Sequence, residues 1–107
     1  MREVDLNVFA AKLANGAFVI DVREPDEYRA GHVPGAHLAP LSTLDAAVSA
    51  LPGDRTVYVI CASGNRSGRA TEHLQARGVD AVSVAGGTAA WARAGRPIDR
   101  GAAAETA

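Results

Sequence analysis

Hydrophobic positions along this chain recur at two spacings, and the two alternate. Leu6, Phe9 and Leu13 keep a helical interval, which makes one helix face apolar, and Gly16 stops the pattern. Ala17-Phe18-Val19-Ile20-Asp21-Val22 is a continuous apolar run ending in charge, as a strand buried on both faces does where it reaches the sheet rim. Glu24 to Ala30 reads as a short helix with Pro25 in its first turn, where a missing N–H does no harm. Gly31-His32-Val33-Pro34-Gly35 is turn chemistry. Leu41, Leu44, Val48 and Leu51 predict a further helix, closed by Pro52-Gly53. Thr56-Val57-Tyr58-Val59-Ile60, β-branched and aromatic, is the clearest strand. After a loop from Cys61 to Arg66, Ser67 to Arg77 predicts a helix with Ala70 and Leu74 inward and Gly78 past its end. Ala81 to Val84 is a last strand, and Gly86-Gly87 turns into a short helix carrying Trp91. Strands alternating with helices over short connections predict an open, mainly parallel α/β sheet. In such sheets, sites form where strand carboxyl ends meet helix amino ends.

Composition narrows the reading. With 107 residues and 48% hydrophobic content, the chain suits one domain, placed at residues 1–98, with the small polar segment 99–107 as a loose tail. There is no internal repeat. Only five residues are aromatic, so the core is built from Ala, Val and Leu, and Trp91 is expected to anchor the last helix. The net charge is −1, and ten of the eleven basic residues are arginines scattered along the chain. No basic stripe forms, which argues against nucleic acid or an anionic membrane as partner. Arginine does suit small anions, because a guanidinium grips two oxygens at once. One cysteine cannot form an internal disulfide, a Cys-x-x-Cys pair or a multi-cysteine zinc site. No metal or other cofactor is expected. The first residues lack a signal-peptide pattern, no apolar run is long enough to span a bilayer, and a reducing cytoplasm is the simplest location.

The chemistry concentrates in Cys61-Ala62-Ser63-Gly64-Asn65-Arg66, followed by Ser67. A thiol stands directly after the best strand and directly before a helix. Gly64 allows a tight curl, and the slim Ala62 and Ser63 keep the backbone close to the sulfur. In such a loop successive N–H groups point inward and form an anion-binding concavity, to which a helix amino end adds partial positive charge. Arg66 adds a full charge near the mouth. A free thiol titrates near 8.5, and bringing it to about 6 takes about 3.4 kcal/mol. One or two hydrogen bonds to the anion, at about 1.5–3 kcal/mol each, suffice. Cys61 is therefore expected to be a low-pKa nucleophile, rather than a small buried hydrophobe at a strand end.

Three segments together resemble the rhodanese family: Asp21-Val22-Arg23-Glu24-Pro25-Asp26-Glu27-Tyr28 with Gly31-His32-Val33-Pro34-Gly35-Ala36; the loop Cys61 to Arg66; and Gly86-Gly87-Thr88-Ala89-Ala90-Trp91. Their order and spacing match from about Val4 to Pro97. The resemblance implies a five-stranded, largely parallel sheet with helices on both faces. It implies that Cys61 takes a sulfane sulfur from a small anionic donor such as thiosulfate, holds it as a persulfide and passes it to cyanide or a thiol, including one on a partner protein. The N–H groups of Ala62, Ser63, Gly64, Asn65, Arg66 and Ser67 would cradle the sulfur, and Arg66 would hold the donor. One departure stands out: thiosulfate-using members often carry Arg directly after the cysteine, where this chain has Ala62. With no second cysteine, an external acceptor must attack the persulfide. Asp21, Arg23, Glu27 and His32 are read as scaffold, with Asp21 and Arg23 holding the loop in shape from behind. His37 and His73 show no partner pattern, and His73 is expected on a solvated face.

Two alternatives stand beside this reading. One is a non-catalytic rhodanese module that binds a partner protein. The other is a cysteine-dependent phosphatase or arsenate reductase, which resembles Cys-x5-Arg. Here the sixth position after the cysteine is Ser67 and Arg66 comes one residue early, so the ring is too short for a tetrahedral oxyanion.

Overall fold

The computed structural model describes residues 2–101. Its five strands are β1 (Glu3–Val4), β2 (Phe18–Asp21), β3 (His37–Leu38), β4 (Val57–Ile60) and β5 (Ala81–Val84), in the sheet order β1-β5-β4-β2-β3. All four pairings are parallel. The helices are α1 (Leu6–Ala14), α2 (Pro25–Ala30), α3 (Leu44–Ala47), α4 (Asn65–Ala76) and α5 (Gly87–Arg93). The three central strands β2, β4 and β5 were legible as apolar runs. The edge strands β1 and β3 are two residues each, too short to carry a pattern.

Because side chains alternate across a strand, the sheet sorts its residues onto two faces. Val19, Tyr58, Ile60, Val82 and Val84 pack with Phe9 of α1, Tyr28 of α2 and Trp91 of α5. Ile20, Val57, Val59, Cys61 and Ala81 pack on the other side with Leu44 of α3 and with Ala70 and Leu74 of α4. The helices thus cover both faces, and each fully buried Val, Leu or Ile contributes about 1.5–3 kcal/mol. Trp91 is buried as expected, with its indole N–H donating to the Pro97 carbonyl at 2.6 Å. No helix among the described residues is long and apolar enough to cross a membrane.

Three segments differ from expectation. The helix expected over Leu41 to Leu51 is instead a 3-10 turn at Leu41–Thr43, the single turn α3, and a second 3-10 turn at Val48–Ala50. Ser42, Thr43 and Ser49 compete for backbone partners and disfavour a regular helix. Helix α4 begins at Asn65, two residues before the expected Ser67, because Gly64 at φ +110° reverses the chain that early. Arg66 therefore stands on the first turn of a helix and not in the loop. Asp99, at the start of the expected tail, exchanges both backbone hydrogen bonds with His32 at 2.9 Å, and Gly101 donates to the Arg29 carbonyl. Residues 102–107 lie outside the described residues.

Candidate active site

Cys61 follows β4 at the carboxyl rim of the sheet, on the face shared with Val57 and Val59 and covered by α4. Its side chain is 1% exposed. The chain curls after it so that the Gly64 N–H donates to Cys61 Sγ at 3.0 Å, and the Ser67 Oγ lies 3.4 Å from the same sulfur. Burial pushes this thiol up. Hydrogen bonds from the Ser67 hydroxyl and from the backbone N–H groups of Ser67, Gly64 and Ser63 outweigh it, leaving Cys61 below its ordinary value. The sulfur is buried, but among donors that favour its anion. Asn65, at the start of α4, is exposed, and Ala62 of the loop lines a cavity of about 310 Å³ with Glu27, Ala89, Ala92 and Arg100 among its walls.

The loop is held from behind by the start of α5. Thr88 N–H donates to the Cys61 carbonyl at 2.8 Å, and Ala89 N–H to the Ala62 carbonyl at 3.0 Å. These two bonds fix which way the first loop peptides face. They require a close approach at Gly87, where an added Cβ would fall 2.5 Å from the Cys61 oxygen. The Gly86-Gly87 doublet was legible as a turn; its grip on the cysteine loop was not.

Arg66 makes a two-pronged ion pair with Glu27 of α2, at 2.6 and 2.8 Å. Each is about a third exposed. The hydrogen bond from Arg66 lowers the Glu27 carboxyl from 4.5 to about 2, against burial, and the negative sulfur of Cys61 in turn favours the charged Arg66. Glu27 thus holds Arg66 in place and offsets part of its charge. Since the folded Glu27 titrates below its unfolded value, its contribution to stability is full above pH 4.5 and is lost as pH falls towards 2. Thermal midpoints of wild type and Glu27→Gln measured against pH are expected to differ at neutrality and to converge across that window. Curves that stay parallel would show that the pair adds nothing to stability.

Asp21 and Arg23 form a closed pair. Asp21 is fully buried and accepts from the Arg23 backbone N–H at 3.0 Å and from its guanidinium at 2.8 Å, while Arg23 Nη2 donates to the Gly31 carbonyl at 2.7 Å. They brace the end of α2 and so position Glu27. His32 stacks on Tyr28 and its Nδ1 lies 2.8 Å from the Tyr28 carbonyl, in the backbone-bonding role expected of it. His37 stacks on Phe18, and the half-exposed His73 lies 2.5 Å from Asp45, a partner the sequence gave no sign of. Ser83 of β5 also went unremarked as a site residue; it is fully buried, with its Oγ 2.8 Å from the Ser67 Oγ. Among the described residues no cluster of His, Cys, Asp or Glu is arranged to hold a metal ion.

Known proteins resemble this chain in both sequence and fold. The sequence pattern of the Rhodanese-like domain matches residues 5–94. The chain belongs to the rhodanese family. A protein of Allochromatium vinosum named sulfurtransferase is 35% identical over 101 residues, covering 92% of this chain and 94% of that one. The crystal structure of a rhodanese-related protein from Thermoplasma volcanium superposes with a TM-score of 0.84 at 33% identity, over 92% of this chain and 98% of that chain. A Pseudomonas aeruginosa thiosulfate sulfurtransferase gives 0.83 at 29% identity, over 94% of this chain, which corresponds to only 19% of that larger chain. The expected fold is thus the observed one, a rhodanese-like five-stranded parallel sheet, and rhodanese membership with a sulfurtransferase relative supports a sulfurtransferase type of function.

Proposed function

We propose that this rhodanese-family chain moves a sulfane sulfur from thiosulfate or another persulfide donor to cyanide or a thiol through a persulfide on Cys61. One observation carries the reading: the chain's single thiol sits where backbone amides and a hydroxyl favour its anion. The Cys61 thiolate attacks the outer sulfur of the donor. The new S–S bond forms as the donor's own S–S bond breaks, and sulfite leaves with the electron pair when the donor is thiosulfate. Cyanide or a thiolate then attacks the terminal sulfur of the persulfide, the Cys61 S–S bond breaks, and the Cys61 thiolate returns. The sequence is balanced without a cofactor. At 1% exposure, Cys61 favours a slim attacking group, such as a terminal sulfur, over a bulky one. The cavity beside Ala62 has room for the organic part of a larger donor or for an acceptor thiol.

The test is a thiosulfate:cyanide assay read as thiocyanate, beside an organic persulfide:thiol assay and an arylphosphate control. Transfer with double-displacement kinetics and an inert arylphosphate are expected. No transfer from any sulfane donor would overturn the reading and leave the partner-binding module. Arg66→Ala is expected to lower kcat/KM for thiosulfate about tenfold, chiefly through KM, by loss of one charge-assisted contact to the anion. Equal kcat/KM for the two proteins would remove Arg66 from the donor site. The Glu27 pair and Ala62 both reduce the charge offered to a dianion, which favours singly charged persulfides as donors.

A further inference from the structure

Ser83 is the inner member of a hydroxyl pair beneath the sulfur. It lies on β5 in register with Val59 of β4, two residues before Cys61, and is fully buried. Its hydroxyl hydrogen-bonds the Ser67 hydroxyl at 2.8 Å. Ser67 is fully buried too, and its oxygen also lies 3.1 Å from the Gly64 carbonyl and 3.4 Å from Cys61 Sγ.

Proton counting around Ser67 gives each group a role. A hydroxyl has one proton to donate and two lone pairs to accept with. With Cys61 as the thiol, its S–H donates to Ser67 Oγ, Ser83 O–H donates to the same oxygen, and Ser67 O–H donates to the Gly64 carbonyl. When the thiol proton leaves, the Ser67 proton can swing to the sulfur anion. The Gly64 carbonyl is not orphaned by the swing, because the Gly68 N–H already donates to it at 3.1 Å. The Ser67 oxygen, however, has lost the S–H donor, and within the buried pair Ser83 alone supplies another.

We infer that Ser83 is a positioning residue for the sulfur chemistry: its hydroxyl holds the Ser67 hydroxyl with its proton turned onto Cys61 Sγ whenever that sulfur is anionic. Ser83 acts through Ser67 and touches no substrate. The effect is specific to the anion, because only in that state does removal of Ser83 leave the buried Ser67 oxygen without a donor. The same contact serves the transfer step, in which the persulfide's S–S bond breaks and Cys61 Sγ leaves as the anion. The charged groups around the site are Arg66 on α4, paired with Glu27 of α2, the closed Asp21–Arg23 pair at the end of β2, and Arg100 on the wall of the cavity beside Ala62. Arg69 on α4 is exposed, and β5 and the first turn of α5 carry no titratable side chain. Removing the Ser83 hydroxyl alters none of them.

The inference rests on Cys61 as the nucleophile, but its test uses no sulfur donor. The single cysteine lets iodoacetamide alkylation, followed by intact mass against pH, report Cys61 alone. Ser83→Ala is expected to raise the alkylation midpoint by about one pH unit, a tenfold loss of anion at lower pH. Ser67→Ala is expected to raise it at least as far, and the double variant no further than Ser67→Ala, because both act through one hydroxyl. A Ser83→Ala midpoint equal to wild type, or shifts that add in the double variant, would overturn the assignment. Should the wild-type chain transfer no sulfur, the proposed function fails while the midpoint shift still decides the role of Ser83.

Discussion

Gly87→Ala is expected to be the most damaging single-methyl change in this fold, and to damage the cysteine loop in particular. Gly87 has φ +59°, and an added Cβ would fall 2.5 Å from the Cys61 oxygen and 2.7 Å from the Ala62 carbonyl carbon and oxygen. All three are backbone atoms and cannot swing aside, so the first turn of α5 must retreat. That strains both the Thr88-to-Cys61 and Ala89-to-Ala62 hydrogen bonds. The left-handed backbone costs about 1–2 kcal/mol with a side chain, and overpacking adds about 1–3 kcal/mol. For a domain of this size the thermal midpoint should fall by roughly 10 °C or more. Gly35→Ala is the matched control: φ is +85°, but nothing lies within 4 Å of the added Cβ. It should lose only the backbone part, and sulfur transfer should survive. Equal midpoints for the two variants would show that the loop does not depend on close contact with α5.

Cys61→Ala is expected to reduce sulfur transfer to the uncatalysed background while leaving the fold intact. No second cysteine exists to take over, and Cys61→Ser should fail equally, because an alcohol is not ionised at neutral pH and cannot carry a sulfane sulfur. The stability change should be small, about 1 kcal/mol, since Ala fills most of the same space. Circular dichroism and thermal melting beside the transfer assay would check both halves. Transfer above background by either variant would mean that Cys61 is not the carrier.

The architecture was largely legible because the strands β2, β4 and β5 are buried on both faces and so are written as apolar runs. Short edge strands are different: Glu3–Val4 and His37–Leu38 hold their places by pairing with neighbours, and two residues cannot display a period. The curl from Cys61 to Gly64 was legible because its demands are local, a thiol, slim neighbours and a glycine able to turn the chain. What tertiary distance creates was not. Glu27 meets Arg66 across 39 positions and Ser67 meets Ser83 across 16, and neither pair leaves a mark on residue type or spacing. The early start of α4 has a local cause instead: Asn65 and Arg66 suit a loop as well as a helix, and the left-handed Gly64 before them makes them helical.

Intact-protein mass spectrometry after incubation with thiosulfate, and separately with an organic persulfide, tests the central claim most directly. The expected result is a gain of one sulfur atom by the wild-type chain, removed by cyanide or a reductant and absent in Cys61→Ala. An unmodified mass with every sulfane donor, from a folded protein whose thiol is free, would contradict it.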